Sequence, residues 1–215
     1  MKVFSRIFYE ILAFFIRLIL RLNGGLEVRG IENIPLKGGA LIASNHISFI
    51  DPPMIGAIVP RMATFMARKG LFDVPVIKFI LDQFAFPVDR EKPRPSTIKE
   101  SVKRLKRGEL IVMFPEGRRS ETGQLMEAKR GAGMVASLSK VPIIPTYVHN
   151  TDKVLPVEAK WLKRGKVTVV FDKPIYYNPT ISSDSYGDWM SHDEISSKVM
   201  DAIGKLKRDY EDKAG

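Results

Sequence analysis

The feature that most restricts the fold is an uninterrupted apolar run, Gly39-Ala40-Leu41-Ile42-Ala43, that leads through Asn45-His46-Ile47-Ser48-Phe49-Ile50 into Asp51-Pro52-Pro53. A short run without polar alternation reads as a strand covered on both faces. Proline suits the first turn of a helix and Asp suits its cap, so Asp51-Pro52-Pro53 reads as a helix opening. A buried strand passing directly into a helix is the signature of an α/β protein. The turn between them holds His46, and Asp51 five residues on. On a regular helix, side chains five apart point about 140° away from each other, so the two meet only if the chain turns sharply between them. If they meet, a carboxylate on one imidazole nitrogen fixes the tautomer and leaves the other nitrogen to take a proton from a hydroxyl. The other reading makes Asp51 a helix cap and His46 an ordinary loop histidine.

Further elements follow the same alternation. Val3 to Leu22 is a helical stretch dominated by Phe, Ile and Leu, about 20 residues long, and Asn23-Gly24-Gly25 ends it. Strands are expected at Leu26–Gly30, Met62–Ala67, near Pro87–Arg90, at Glu109–Phe114, at Val141–Pro145 and at Val167–Phe171. Helices are expected after Pro53, over Ser96–Lys106, from Lys129 through Leu138, and after Ser191, where Glu194 three residues on completes a capping box. Together these predict one α/β domain with a mixed, largely parallel central sheet flanked by helices over residues 25–215, preceded by a helical segment over 1–24. Polar and basic groups recur where strands end: His46 after the first buried strand, Arg68 and Lys69 after the second, Glu116, Gly117, Arg118 and Arg119 after Glu109–Phe114. Open α/β sheets bind ligands outside such ends.

The N-terminal stretch contains Arg6, Glu10, Arg17 and Arg21. Arg6 and Arg17 would each cost about 2.5–3.5 kcal/mol at the centre of a bilayer. Plotted at about 100° per residue, Lys2, Ser5, Arg6, Glu10, Arg17 and Arg21 fall in a sector about 160° wide, which leaves a broad apolar face. A helix lying in the membrane surface, or two short ones, fits both observations; a helix packed on the protein's own core is the alternative. Leu71 to Phe86 is a second apolar stretch, readable as a membrane-facing or acyl-lining surface or as a core helix.

With 34 Lys and Arg against 24 Asp and Glu, the chain carries a formal charge of +10, which favours an anionic partner: nucleic acid, an acidic membrane or a phosphorylated substrate. Eight basic residues against two acids lie between Arg90 and Arg107, with no aromatic residue among them, which argues against a single-strand stacking platform. The chain has no cysteine, so thiolate catalysis and cysteine metal sites are excluded, and three histidines (His46, His149, His192) leave little material for a metal centre. Ser48 lacks the Gly-x-Ser-x-Gly elbow of a serine hydrolase.

Four separated signals stand in one order: Asn45-His46…Asp51; Phe86-Pro87-Val88-Asp89-Arg90; Phe114-Pro115-Glu116-Gly117-Arg118-Arg119-Ser120; Val141-Pro142-Ile143-Ile144-Pro145. Over roughly residues 40–150 the chain resembles the glycerolipid acyltransferase family, most closely the bacterial 1-acyl-glycerol-3-phosphate (lysophosphatidic acid) acyltransferases. The resemblance implies transfer of a fatty acyl group from acyl carrier protein or coenzyme A to the 2-hydroxyl of lysophosphatidic acid, giving phosphatidic acid, with no cofactor, metal or nucleic acid involved. It makes His46 the general base and Asp51 its orienting partner. It puts Glu116, Gly117 and Arg119 at the acceptor, Arg119 on its phosphate, and Arg90 in the second motif; Arg68, Lys69 and Arg118 complete the expected phosphate and glycerol site. Two positions depart from the family pattern: Arg118 stands where Thr is common, and Pro87 precedes Val88 where the family carries an upstream Gly. The expected place of work is an anionic membrane surface, on the cytoplasmic face of the cell membrane. Two sources for the oxyanion donors are considered, the turn after Val141 and the loop around His46.

Overall fold

A computed structural model describes residues 3–89, 95–176 and 191–214. Seven strands form one sheet in the order β1-β7-β6-β2-β5-β3-β4. They are β1 Leu26–Arg29, β2 Ala40–Ser44, β3 Ala63–Arg68, β4 Ala85–Val88, β5 Leu110–Met113, β6 Ile143–His149 and β7 Val167–Phe171. β6, β2, β5, β3 and β4 run parallel; β7 pairs antiparallel with β6, and β1 runs alongside β7. The mixed, mostly parallel sheet of the sequence reading is therefore what forms.

The central strands explain their own composition. Every residue of β2 and β5 is buried, because helices cover both faces there and neither side of the pleat meets water. α1 (Val3–Leu22) and α2 (Asp51–Ile58) cover one face, where Leu20, Met54 and Ile55 pack on Ile42, Leu110 and Ile144. α4 (Pro95–Lys106), α5 (Arg130–Ser139) and α7 (His192–Ala214) cover the other, where Leu105, Val135 and Ile203 pack on Leu41, Ile111 and Ile143. Fully burying one such Leu or Ile side chain contributes about 1.5–3 kcal/mol. α3 (Pro75–Phe84) leads into β4 at the sheet edge, and α6 (Thr151–Val154) is a single turn after β6. The expected capping box at the start of α7 forms: the Glu194 carboxylate accepts from Ser191 N at 2.6 Å and Ser191 Oγ accepts from Glu194 N at 3.2 Å.

Two local expectations are corrected. Leu71–Phe86 is not one element: a 3-10 turn, Lys69–Asp73, precedes α3, because Pro75 suits a new helix start and not a continuing one. The strand expected at Val141–Pro145 starts later and runs on to His149. The polar sector of α1 does not face water as a block. Ser5 turns inward to donate to Gln83 Oε1 at 2.7 Å, and Arg17 donates to the carbonyl of Ala57. α1 exposes much of its apolar face, with Phe4, Ile7, Ile11, Phe14 and Leu22 each more than half exposed, together with Arg6, Glu10 and Arg21. The exposed Val76 and Phe79 of α3 adjoin it through the edge contact of Phe8 with Phe79. Among the described residues no helix is long and apolar enough to cross a membrane.

Candidate active site

Parallel strands carry their carboxyl ends to one edge, and that edge gathers the site. β2 ends at His46, β3 at Arg68, β5 at Phe114 to Arg119, and β6 at Asn150 and Thr151. Asn45 locks two of these ends together: its side chain donates to Val148 O at 3.0 Å and accepts from Val148 N at 2.7 Å.

The sharp turn that His46 and Asp51 require is present, and Asp51 builds it. Its Oδ2 accepts from Ile47 N at 2.7 Å, from Ser48 N at 2.8 Å, and lies 2.8 Å from His46 Nδ1. The carboxylate thus folds back over the preceding turn instead of capping its own helix; the residue at the helix N-cap, Ile50, makes no side-chain cap. Its other oxygen, Oδ1, accepts from Thr151 Oγ at 2.6 Å. Asp51 and Thr151 are both fully buried. With Nδ1 held against a carboxylate, Nε2 is the nitrogen left for a substrate. The imidazole stacks on Phe114 with ring centroids 4.1 Å apart, so its plane is fixed as well as its tautomer.

Glu116 is 1 % exposed and sits beneath this turn. Its Oε1 accepts from His46 N at 3.3 Å, while Oε2 has no partner. Burial, with the Asp51 carboxylate adding to it, pushes the Glu116 carboxyl up to about 7 against the opposing pull of the His46 and Met126 backbone amides. A second strap crosses the same loop, Ser120 N donating to His46 O at 2.7 Å. Gly117 occupies the left-handed region at φ 73°, where a side chain would be strained, and a Cβ there would lie 3.0 Å from Lys129 Cγ.

A cavity of about 600 Å³ opens at His46 and runs between α1, α2, α3 and β3. Its walls are apolar, from Tyr9, Ala13, Ala57, Phe65 and Phe84, and small where α1 and α2 approach. Arg68, Arg118 and Arg119 line it with His46. Arg118 is exposed; Arg119 is half-buried, lies 4.0 Å over the Phe49 ring, and its Nε is buried without a partner. Tyr9 ties the floor together, donating to Gly56 O at 2.7 Å and accepting from Ala63 N at 3.2 Å.

The structure thus brings His46, Asp51, Arg68, Arg118 and Arg119 to one place. Glu116 and Gly117 belong to the loop that carries the arginines but do not line this cavity; Lys69 lies in the 3-10 turn beyond β3 and does not line it either. Arg90 falls outside the described residues. Of the two sources considered for the oxyanion donors, the turn after Val141 is overturned and the loop around His46 is narrowed. The amides of His46, Ile47 and Ser48 are already committed to Glu116 and Asp51. The turn after Val141 enters β6 at its amino end, and Leu41 pairs with Ile143, so that turn lies at the opposite edge of the sheet. Ser48, fully buried, donates to Leu155 O and is no nucleophile. Thr151 is the residue that reading along the chain missed; no local signal connects it to Asp51, because the two are brought together only by β6 lying beside β2.

A family model described as Acyltransferase matches residues 25–149. The chain belongs to the Acyltransferase family. His46, Asp51, Arg68, Glu116, Gly117, Arg118 and Arg119 lie within the matched region of this family member; Thr151 is two positions beyond it, and the cavity-lining Tyr9 and Ala13 precede it. The chain is 37% identical over 171 residues to the 1-acyl-sn-glycerol-3-phosphate acyltransferase of Bacillus subtilis, covering 78% of this chain and 82% of that one. It is 30% identical over 196 residues to the protein of the same name from Saccharomyces cerevisiae, covering 87% of this chain and 63% of that one. The fold is also that of the crystal structure of the 1-acyl-sn-glycerophosphate (LPA) acyltransferase from Thermotoga maritima, with TM-score 0.74 and 24% identity over 93% of this chain and 79% of that one.

Proposed function

We propose that the protein transfers a fatty acyl group from an acyl thioester, carried by acyl carrier protein or coenzyme A, to the 2-hydroxyl of lysophosphatidic acid, releasing phosphatidic acid and a free thiol. The observation that carries the reading is the oriented His46–Asp51 pair at the mouth of an apolar cavity whose rim is cationic. The relatives bearing this activity's name support the choice of substrate.

His46 Nε2 takes the hydroxyl proton as that oxygen attacks the thioester carbonyl. The C–O bond forms, the C–S bond breaks, and the departing thiolate takes the proton back from the imidazolium, which Asp51 stabilises throughout. A thioester needs no covalent enzyme intermediate, so the absence of cysteine is consistent with the chemistry. The planar guanidinium groups of Arg118 and Arg119 suit the phosphate of the acceptor, and Arg68 lines the same cavity. Holding that phosphate sets the hydroxyl against Nε2, and positioning of this kind is a large part of such a rate enhancement. The cavity holds a fatty chain. Glu116 acts through the His46 backbone and is a positioning residue. No metal is assigned, and among the described residues no group of three or more His, Asp or Glu could hold one.

The apolar faces of α1 and α3 rest in the membrane surface, on the cytoplasmic side, with residues 1–24 as the anchoring segment and 25–215 as the catalytic domain. Phosphatidic acid formation from lysophosphatidic acid and each thioester, measured for wild type and His46→Ala, tests the reaction. Product from wild type alone is expected; transfer by the variant near the wild-type rate refutes the mechanism. Product only from another acceptor refutes the choice of substrate.

A further inference from the structure

The sheet gives the molecule two unlike sides. α1 lies on one; on the other, α4 exposes Lys99, Lys103 and Lys106, and the turn that follows it exposes Arg107. Their spacing puts all four within about 100° of one another around the helix, in a stripe about 12 Å long. Among the described residues no acid pairs with any of the four, whereas Arg104 on the same helix bonds both Glu100 and Glu109. Like charges so aligned repel one another and are relieved by an anionic partner. Between them runs an apolar groove of about 570 Å³ floored by Ile98, Val102 and Leu138, the last 47% exposed.

The groove shares Ile98 with a second cavity, of about 610 Å³, over the carboxyl ends of β4 and β5 and between the starts of α4 and α5. Lys129 and Arg130 contribute to its lining and are exposed, and Phe114, which stacks on His46, is a wall of this cavity and of the catalytic one alike.

We propose that this side docks a small acidic carrier protein that presents the acyl thioester on a phosphopantetheine arm. The inference rests on the acyl-transfer reading and names the donor's partner surface. The α4 cations face acidic residues of the carrier, and the groove takes its apolar ones. The second cavity admits the arm, with Lys129 and Arg130 near its phosphate. A bilayer that engages the exposed face of α1 lies on the opposite side of the sheet, which leaves α4 to a water-soluble partner. An extended cationic stripe flanking an apolar groove fits a protein surface better than the compact nucleotide of coenzyme A.

The test is the triple variant Lys99→Glu, Lys103→Glu, Lys106→Glu. Steady-state transfer is measured with carrier-bound and coenzyme A thioesters of one chain length, and binding of the unacylated carrier is followed by fluorescence anisotropy at low and high salt. The expected result is a KM for the carrier thioester raised about tenfold or more, as for loss of complementary charge at an interface. The KM for the coenzyme A thioester and for lysophosphatidic acid is unchanged, and wild-type carrier binding weakens with salt. The proposal is overturned if wild type does not bind the carrier, if both donors' KM values move together or neither moves, or if the variant instead loses binding to anionic vesicles. Failure of wild type to use either donor refutes the acyl-transfer reading itself, while the anisotropy measurement still decides whether the surface docks a carrier.

Discussion

The His46 turn and the exposed face of α1 are built on opposite plans. In the turn almost every polar group is spoken for: one carboxylate takes four donors, and two backbone straps fix the histidine from either side. On α1 the large side chains Phe4, Ile7 and Phe14 face outward, each more than half exposed. Chemistry demands a single geometry, so its residues are over-determined; the membrane surface proposed for α1 would offer no fixed partner, so residues there would need only be apolar and numerous. The contrast teaches that the effect of a substitution here depends on which plan it interrupts.

Asp51→Asn strikes the first plan hardest. An amide can present one acceptor oxygen where the carboxylate presents two, and it no longer stabilises an imidazolium, so kcat should fall about 10³–10⁴-fold, as in other histidine–carboxylate pairs. A loss under tenfold would show that the turn is not what orients the base. The surface plan is broken by Phe14→Asp combined with Leu18→Asp. Removing two apolar contacts worth about 1.5–3 kcal/mol each should weaken vesicle co-sedimentation by two orders of magnitude or more. The melting temperature should stay within a few degrees, because neither side chain is buried. Unchanged sedimentation would mean that this face does not meet lipid.

Thr151→Val sharpens the comparison within the turn. Leaving Asp51 Oδ1 unsatisfied costs about 1–3 kcal/mol, so kcat should drop about 10- to 100-fold, with Thr151→Ser restoring most of it. Equal activity of the Val and Ser variants would make the hydroxyl irrelevant. The smallest effect belongs to Glu116→Gln. The folded protein holds the Glu116 proton up to about pH 7 while the unfolded chain releases it near 4.5, so the native state binds the extra proton between those values. Stability from this group is complete below about pH 4.5 and is lost as pH rises to about 7. Wild type should therefore lose melting temperature relative to Glu116→Gln across that window; parallel curves would contradict it.

What could be read along the chain were the features whose cause is local. The bounds of α1 and β7 are set by their own apolar runs and by Asn23-Gly24-Gly25, and the His46–Asp51 pair lies within one turn of chain. Glu116 and Thr151 could not be given their roles, because their partners are 70 and 100 residues away and depend on strand order. The misplaced oxyanion guess has the same origin. A run such as Val141–Pro145 announces a strand but not its direction relative to β2, and that direction decides which of its ends meets His46.

Tyr9 joins α1, the helix proposed to meet the membrane, to Gly56 and Ala63, and Tyr9 is itself a wall of the cavity at His46. If α1 meets lipid and the cavity takes the acyl chain, as proposed, host lipid and substrate press on two sides of one helix. A detergent micelle, with its tighter curvature, offers that helix a different bed from a flat bilayer, and a purified preparation reports the chain selectivity of the micelle it was extracted into. Ranking acyl lengths in micelles and in nanodiscs of one protein preparation reads this directly: identical rankings would show that the helix transmits nothing.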